Sequence, residues 1–442
     1  MKSILIKGGT LLTMTEQDAI VRGDLLIRDG VIASVGETGQ TADIVIDAGG
    51  CAVLPGFIQT HIHLCQTLFR GAADDLTLLD WLKKRVWPME AAHTAASIKA
   101  SAKLGIAELI KGGTTCALTM ETVNHTEEVF RVVEDSGFRA TVGKCMMDKG
   151  DDVPAALHED TEVSIRESLA LLEAWHGKAG GRIRYCFAPR FALSCTRELL
   201  TRVAQLARER NVIVHSHASE NRNECALVES ETGLRNVAYL DSIGLSGRHV
   251  VLAHCVHLDA AEFETLANTR TNVAHCPSSN LKLGSGIAEI TRMLDGGVSV
   301  SLGADGAACN NRLDMFTEMR SMALLQKANH GPEVVPAMQA LRIATIGGAK
   351  ALALEKQIGT LEAGKDADVI VVNLDSPHST PSSGDPASAL VYSAQTSDVR
   401  SVVIDGRVVM KDRELLTLDE SSVVQNANRE AAELIKRAGI DV

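Results

Sequence analysis

The 442-residue sequence lacks several features that mark whole classes of protein. No apolar run approaches the roughly 20 residues that a membrane-spanning helix needs, so we expect no membrane partner. The first residues, MKSILIKGGTLLTM, lack the apolar core and cleavage site of a secretory signal. No block rich in Lys or Arg occurs and the net charge is −12. This charge balance disfavours nucleic acid as a partner.

Two local motifs are also missing. The ten cysteines include no CxxC pair, and without a secretory signal they are expected to be reduced thiols in a cytoplasmic protein. No GxGxxG motif follows the first predicted strand of the central region. Its absence counts against a dinucleotide-binding open sheet.

Both ends of the chain are rich in short β-type runs. Residues 1–55 contain ILIKGGTLLTM and DLLIRDGVIASVG, with an Asp-Gly pair at 29–30 that is typical of a tight hairpin turn. The same texture returns in 361–442, with a second Asp-Gly pair at 405–406. We therefore predict one composite β-sandwich built from both termini, with a helix at the C-terminal end.

The middle of the chain, 56–360, alternates β-type runs with amphipathic helical stretches. Regular alternation of this kind predicts parallel strands joined by helices, and eight such units match an α/β fold of the (β/α)8 TIM-barrel type. The Ser/Pro-rich segment 375–386 predicts a surface loop. The eight β-type runs end near Thr60, Thr119, Lys144, Ala188, Val214, Ala253, Ala274 and Gly303.

Histidines stand at the ends of several predicted barrel strands, where the active sites of such barrels lie. Strand 1 ends with His61 and His63, and strand 5 ends with His215 and His217, followed by Glu220. Because side chains two apart in a strand point to the same side, each pair can reach one point in the barrel mouth.

Three further strand ends add to this set: His254 ends strand 6, His275 ends strand 7 and Asp305 follows strand 8. An isolated histidine is usually a packed core or rim residue. Gathering so many polar groups at one barrel mouth is costly unless a cation compensates. Imidazoles with one carboxylate suit zinc, or iron in a similar geometry.

These motifs together resemble the amidohydrolase superfamily, and within it the branch of deaminases and triazine hydrolases. The resemblance extends over nearly the whole chain. It rests on PGFIQTHIH, the HxxE of His217 and Glu220, AHC at His254, Asp305, and GTLEAGKDADVIVV at 359–372.

The resemblance implies a single divalent ion, zinc or iron, bound by His61, His63, His217 and Asp305. Such an ion lowers the pKa of a bound water to about 7. Asp305 is then expected to accept the water proton, and His254 to orient the nucleophile and stabilise the tetrahedral centre. Glu220 is expected to protonate a ring nitrogen of the substrate.

Neighbouring residues refine this expectation. His215 shares a strand face with His217, but the HxxE spacing favours His217 as the ligand. Strand 4 ends in APRF, with Arg190 and no lysine, so a two-metal site bridged by a carboxylated lysine is not expected. The unrelated cytidine-deaminase type of zinc site needs a PCxxC motif, which is absent.

The predicted substrate contacts resemble different relatives. Gln66, Arg190 and Phe191 resemble the residues by which guanine deaminases hold the purine, since a guanidinium offers paired donors and an aromatic ring stacks on a heterocycle. LFRGAADDLTLLDWL at 68–82 resembles deaminases of 5'-modified adenosines, and Glu90 resembles their ribose-binding carboxylate. Those enzymes usually carry a histidine where this chain has Arg190.

Other positions resemble triazine hydrolases. The resemblance lies in two segments, WHGKAGGRI at 175–183 and VVIDGRVVM at 402–410. Cys309, four residues after Asp305, resembles the melamine-deaminating enzymes more than the dechlorinating ones. A buried cysteine is otherwise usually a packing residue. His275 is open between a substrate contact and a supporting residue behind the site.

Three hypotheses follow. The leading one is a hydrolytic deaminase of an aminopurine, either a guanine-like base or a 5'-modified adenosine. The second is an s-triazine aminohydrolase or dechlorinase. The third is a catalytically inactive metal-binding scaffold, which would have no need of Glu220 and His254. Each implies a small heterocycle as the partner, and the resemblance also allows a homo-oligomer, a dimer or larger.

Overall fold

The computed structural model describes residues 2–381 and 383–441. A ring of parallel strands is formed by the middle of the chain, and a second, mostly antiparallel sheet is formed by both ends. Within the described residues, the helices are all too short or too polar to cross a membrane. Ser382, inside the predicted surface loop 375–386, lies outside the described residues.

The strands are, in chain order, β1 (Ile4–Leu12), β2 (Ile20–Arg28), β3 (Val31–Val35), β4 (Ile44–Asp47), β5 (Cys51–Pro55), β6 (Phe57–His63), β7 (Thr114–Met120), β8 (Arg139–Met146), β9 (Ile183–Pro189), β10 (Ile213–Ala218), β11 (Val250–His254), β12 (Asn272–His275), β13 (Ser299–Leu302), β14 (Asp305–Gly306), β15 (Val369–Asn373), β16 (Val399–Ile404), β17 (Arg407–Lys411) and β18 (Glu414–Leu415).

The α-helices are α1 (Leu78–Trp81), α2 (Trp87–Ala91), α3 (Ala95–Lys111), α4 (Thr126–Ser136), α5 (Thr161–Trp175), α6 (Arg197–Arg210), α7 (Arg222–Thr232), α8 (Asn236–Ser242), α9 (Ala260–Thr269), α10 (Pro277–Lys282), α11 (Ile290–Asp295), α12 (Met315–His330), α13 (Ala337–Arg342), α14 (Gly348–Ala351), α15 (Pro386–Tyr392) and α16 (Glu420–Ala438). Single turns of 3₁₀-helix occur at 64–69, 179–181 and 396–398, and π-helical turns at 82–86 and 343–347.

All eight predicted barrel strands are present, so the predicted (β/α)8 barrel is confirmed. Strands β6 to β12 pair in sequence order, each parallel to the next. The eighth strand is interrupted, since β13 pairs with β12 while β14 pairs with β6. The segment 299–306 therefore touches both the seventh and the first strand and closes the ring.

Closure requires a glycine between the two parts of the eighth strand. A Cβ atom at Gly303 would lie 2.5 Å from the carbonyl oxygen of His61 and 2.8 Å from its nitrogen. Any larger residue would push the eighth strand away from the first. Because His61 and Asp305 lie on these two strands, Gly303 also sets how close the two side chains come.

The two ends of the chain form one sheet, as predicted. Strand β15 from the C-terminal part pairs antiparallel with β5 from the N-terminal part. Both Asp-Gly pairs make two-residue hairpin turns with positive φ at both positions, joining β2 to β3 and β16 to β17. Side chains from both ends of the strand order, such as Ile32 and Val403, share one core, so the sheet folds over itself.

A buried ion-pair network joins the barrel to this terminal sheet. Arg139, at the start of β8, is only 2% exposed. Its guanidinium donates to both carboxylate oxygens of Asp368, at 2.8 and 3.0 Å, and to Asp366 at 3.1 Å. Both carboxylates immediately precede β15, so this contact fixes the barrel against the sheet.

The C-terminal helix α16 lies against the barrel. Its Ala427 and Leu434 pack in one buried cluster with Trp87 of α2. Lys111, at the end of α3, forms an ion pair of 2.7 Å with Glu420, and Arg437 donates to the carbonyl of Ala92 at 3.0 Å. The helix thus belongs spatially to the barrel. The domain boundaries at 55 and 360 stay predictions.

We expect Arg139→Ala to destabilise the protein strongly, because it leaves two carboxylates without their buried partner. Breaking such a pair typically costs about 3–5 kcal/mol of unfolding free energy. The matched control is Arg131→Ala, since Arg131 is 52% exposed and pairs with Glu127 on the surface of α4; its cost should be about 0–1 kcal/mol. Urea denaturation measures both, and equal losses would contradict the proposed role of Arg139.

Candidate active site

Three histidines present one ring nitrogen each to a common point at the carboxyl end of the barrel. His61 and His63 lie on the same face of β6, and His217 lies on β10. One nitrogen from each of the three lies within 4.8 Å of the others, and the Nε2 atoms of His63 and His217 are 3.4 Å apart. The predicted convergence of these residues is therefore present in the structure.

The opposite nitrogen of each ring is tied to a fixed acceptor. His63 Nδ1 donates to the carbonyl of Met120, and His217 Nδ1 donates to the carbonyl of Arg190, both at 2.7 Å. Since a carbonyl oxygen only accepts, both Nδ1 atoms carry the proton. In the neutral form of each ring, Nε2 is therefore the nitrogen with the lone pair, and it faces the common point.

His61 is oriented through His215 instead of a carbonyl. His215 Nδ1 donates to Val251 O at 3.0 Å, and burial holds the pKa of His215 well below its ordinary value, so its Nε2 is a free acceptor. That atom accepts from His61 Nδ1 at 2.7 Å. His61 Nε2 is buried, and among the described residues its nearest carboxylate is that of Asp305, at 3.2 Å. His215 thus orients a neighbour and does not face the common point.

Asp305 adds the one carboxylate to this group. Its Oδ1 lies 3.2 Å from Nε2 of both His61 and His63, and its Oδ2 accepts from Ser279 at 2.7 Å. Burial alone would raise the pKa of Asp305, but the neighbouring imidazoles hold it well below its ordinary value. Neutral imidazole nitrogens and an ionised carboxylate are the donor set that suits a divalent cation such as zinc.

Glu220 and His254 border the same point. His254 Nε2 lies 3.5 Å from Glu220 Oε2 and 3.9 Å from Asp305 Oδ2. The other nitrogen, Nδ1, donates to Asn280 Oδ1 at 2.8 Å. Burial raises the pKa of Glu220 well above its ordinary value, and the carboxylates of Asp305 and Glu224 act in the same direction. A protonated carboxyl at this position can donate a proton to a bound ligand.

Above these groups lies a cleft. Its floor is formed by His63, His217, Glu220, His254 and Asp305. Its walls are formed by Leu78, Trp81, Leu82, Arg190 and Phe191. The apolar side chains of the walls suit a flat ring, and the polar side chains of the floor are of the types that carry out hydrolysis.

The residues predicted to contact a substrate divide into two groups. Arg190 and Phe191 line the cleft, as the sequence predicts. Gln66, Glu90, His275 and Cys309 are each at most 2% exposed and do not line it. A role in substrate binding stays a prediction for these four.

Glu90 and Gln66 lie behind Arg190. The Arg190 guanidinium forms two hydrogen bonds with the Glu90 carboxylate, at 2.6 and 3.2 Å, and Gln66 Nε2 donates to the same carboxylate at 2.9 Å. Arg190 therefore lines the cleft while its charge is balanced by Glu90, and part of its N–H donors are used by that carboxylate. The sequence alone gives Arg190 and Glu90 separate roles and does not reveal that they pair.

The sequence is similar to known amidohydrolases and deaminases along almost its whole length. A family model described as "Amidohydrolase family" matches residues 52–409. A 5'-deoxyadenosine deaminase of Methanosarcina mazei is 41% identical over 99% of both chains. A 5-methylthioadenosine/S-adenosylhomocysteine deaminase of Pelotomaculum thermopropionicum is 40% identical over 99% of this chain and all of the other.

Solved structures are similar over the same length. An adenosine deaminase from Xanthomonas campestris with bound zinc has a TM-score of 0.92 and 32% identity, with 98% of each chain covered. The E. coli guanine deaminase has a TM-score of 0.84 and 28% identity, covering 93% of this chain and 99% of the other. An atrazine chlorohydrolase from Arthrobacter aurescens shares the fold, with a TM-score of 0.91, 24% identity and 97% and 100% coverage.

The converging nitrogens predict a specific response to loss of His217. Removal of a group that only orients a metal ligand costs about 10- to 100-fold in metal affinity, so His217→Ala should weaken zinc binding at least that much. Competition with a chromogenic chelator measures the affinity, and elemental analysis gives the zinc content per chain. The control is His330→Ala on α12, where His330 pairs with Glu289 away from the cleft. Unchanged affinity in His217→Ala would exclude this residue as a ligand.

Proposed function

Because this chain belongs to the amidohydrolase family, we propose that it removes the exocyclic amino group of an adenosine-type nucleoside by hydrolysis. Water replaces the amino group with oxygen, and ammonia leaves. The family and the deaminase relatives establish the coarser statement, that the chain is a hydrolase acting on a C–N bond. The observation that supports deamination is the meeting of Glu220, His254 and Asp305 beside three converging imidazoles.

The substrate class is supported by the relatives. Proteins named for 5'-deoxyadenosine and for 5-methylthioadenosine or S-adenosylhomocysteine match this chain at 40–42% identity along almost its whole length. The apolar walls of the cleft suit a planar purine, because Trp81 and Phe191 offer aromatic surface and Leu78 and Leu82 exclude water. An adenosine-type substrate is therefore favoured over a guanine-like base or a triazine.

We infer that one zinc ion is held by Nε2 of His61, His63 and His217 together with Asp305 Oδ1. When bound, zinc supplies a water activated for nucleophilic attack near neutral pH. In their neutral form the three histidines carry the proton on Nδ1, so each Nε2 lone pair would be free to hold the ion.

The remaining residues handle the protons. Asp305 Oδ2, on the side of His254, accepts the proton that the attacking water gives up. Glu220, whose pKa is raised by burial, donates a proton to the ring nitrogen next to the carbon under attack, which makes that carbon a better electrophile. His254 orients the attacking water by accepting a hydrogen bond from it at Nε2. The proton taken by Asp305 leaves with the departing amine, and the remaining proton of the added oxygen returns to Glu220 as the carbonyl forms. The reaction therefore consumes one water and releases one ammonia.

A guanine-like base is the second candidate, and one observation favours it. Arg190 lines the cleft, while Glu90 lies behind the guanidinium and is 2% exposed. A guanidinium at this point can donate to a ring carbonyl, which guanine has and adenine lacks. The triazine alternative has the shared fold as its only structural support.

Ammonia release from purified, zinc-loaded protein separates these candidates. We expect kcat/KM for 5'-deoxyadenosine or 5'-methylthioadenosine to exceed that for guanine and melamine by about 100-fold or more, a difference of roughly 2.7 kcal/mol in transition-state binding. Adenosine and S-adenosylhomocysteine belong in the same assay. Faster turnover of guanine would transfer the proposal to the second candidate, and chloride release from a chlorotriazine without ammonia release would refute deamination.

Glu220→Gln tests the proposed proton donor. The amide keeps the shape and lacks the transferable proton, so kcat should fall by about 100- to 10,000-fold, the usual contribution of a positioned acid or base. Zinc content should remain at the wild-type value because Glu220 is not a proposed ligand. Glu224→Gln is a poor control, since Glu224 bonds the backbone of Glu220; Glu229→Gln, exposed on α7, is the matched one. A fully active Glu220→Gln enzyme would remove this residue from the mechanism.

A further inference from the structure

We propose that the short helix α10 (Pro277–Lys282) positions two groups of the site that act on the attacking water, Asp305 through Ser279 and His254 through Asn280. Neither Ser279 nor Asn280 lines the cleft, so both would act as positioning residues and not as catalytic ones. The inference rests on the roles proposed above for Asp305 and His254. It adds that two adjacent residues on one helical turn set the orientation of Asp305 relative to His254.

Ser279 fixes which carboxylate oxygen of Asp305 faces His254. Ser279 Oγ donates to Asp305 Oδ2 at 2.7 Å, and this is the oxygen that lies 3.9 Å from His254 Nε2. The other oxygen, Oδ1, faces the Nε2 atoms of His61 and His63. The terminal torsion of an aspartate is otherwise broad, so without Ser279 the two oxygens could exchange their roles.

Asn280 fixes the tautomer of His254. Its Oδ1 accepts from His254 Nδ1 at 2.8 Å, which keeps the proton of the neutral ring on Nδ1. The lone pair is then on Nε2, the atom 3.5 Å from Glu220 Oε2. The water that attacks the substrate can donate a hydrogen bond to that lone pair and so be oriented by it, whereas a ring with its proton on Nε2 would offer none.

The two contacts are mechanically coupled. Ser279 and Asn280 are adjacent and at most 1% exposed. Pro277, with its fixed φ, begins the helix, the Asn280 N–H donates to the carbonyl of Cys276 at 3.0 Å, and Ser278 N donates to Glu318 of α12 at 3.1 Å. The turn is therefore tied at both ends, and its two side chains hold a fixed spacing.

Packing alone does not account for Asn280. Its Nδ2 is buried and has no hydrogen-bond partner. Leaving a buried donor unsatisfied costs about 1–3 kcal/mol, and an apolar side chain of similar size would avoid that cost. The single bond that the amide does make is the one to His254.

The first test is spectroscopic and needs no substrate. In zinc-loaded protein labelled with ¹⁵N at histidine, long-range ¹H–¹⁵N correlations report which nitrogen of each ring carries the proton, and loss of signals in His254→Asn assigns them. We expect His254 to carry its proton on Nδ1 in the wild type and in Asn280→Asp, which keeps an oxygen acceptor. In Asn280→Leu we expect a mixture of the two tautomers. A pure Nδ1–H tautomer in Asn280→Leu would refute the proposal.

The second test compares kinetics with zinc binding. Asn280→Leu should lower kcat by about 10- to 100-fold, a part of the usual acid–base contribution, with KM within about twofold and zinc affinity unchanged; Asn280→Asp should recover most of the activity. Ser279→Ala, assayed at saturating zinc, should lower kcat by a similar factor and should also weaken zinc binding about 10- to 100-fold, because Ser279 bonds the proposed ligand Asp305; Ser279→Thr should restore both. Leu281→Ala, 46% exposed on the same helix, is the control and should remain active. Loss of zinc in proportion to activity in Asn280→Leu, or no recovery in either conservative variant, would assign these residues a merely structural role.

The two proposals fail separately. If no purine yields ammonia, the proposed function is wrong, while the tautomer of His254 in Asn280→Leu still decides the role of Asn280. If ammonia is released and the tautomer is unaffected, the function stands and the positioning role is wrong.

Discussion

Three unprotonated imidazole nitrogens and one carboxylate oxygen meet at the barrel mouth, and most other features of the site follow from that crowding. Lone pairs that face each other in a buried space repel, so the arrangement is stable only if each ring is held from behind and a cation lies in front. The structure supplies the first condition through Met120, Arg190 and His215, which accept the three Nδ1 protons. The donor set then defines what the site can bind.

The barrel meets this condition because its strands end on one rim. β6 and β10 lie on different parts of the ring, yet both present alternate residues to the interior. The eighth strand must break to place Asp305 beside β6, and Gly303 allows that close approach. A residue with a side chain there would move the carboxylate away from His61. The closure of the fold and the assembly of the site are thus one structural event.

Much of this could be predicted from the sequence, because it depends on local spacing. The His-x-His at 61 and 63 needs only the alternation of a strand, and the eight β-type runs need only their regular spacing. The pairing of Glu90 with Arg190 could not be predicted, since 100 residues separate them and their contact depends on how helix α2 packs against the residues that follow β9. The contacts of Ser279 and Asn280 could not be predicted either. Each joins groups 26 residues apart through side-chain rotamers that the sequence pattern leaves open.

Backbone strain at the site is a further consequence of the same demand. Ser219, His254, Cys255 and Asp305 all have positive φ, between 48° and 73°, directly at or after the ends of strands 5, 6 and 8. None is glycine, and the left-handed conformation costs an ordinary residue about 1–2 kcal/mol. At these residues the backbone turns sharply at the end of its strand. A glycine at position 254 or 305 would relieve the strain there, but it would remove the imidazole of His254 or the carboxylate of Asp305. Strain of this kind persists only where the surrounding structure fixes it. Here the strands that end at these turns are buried almost completely, and their hydrogen-bonded ring offsets the local cost.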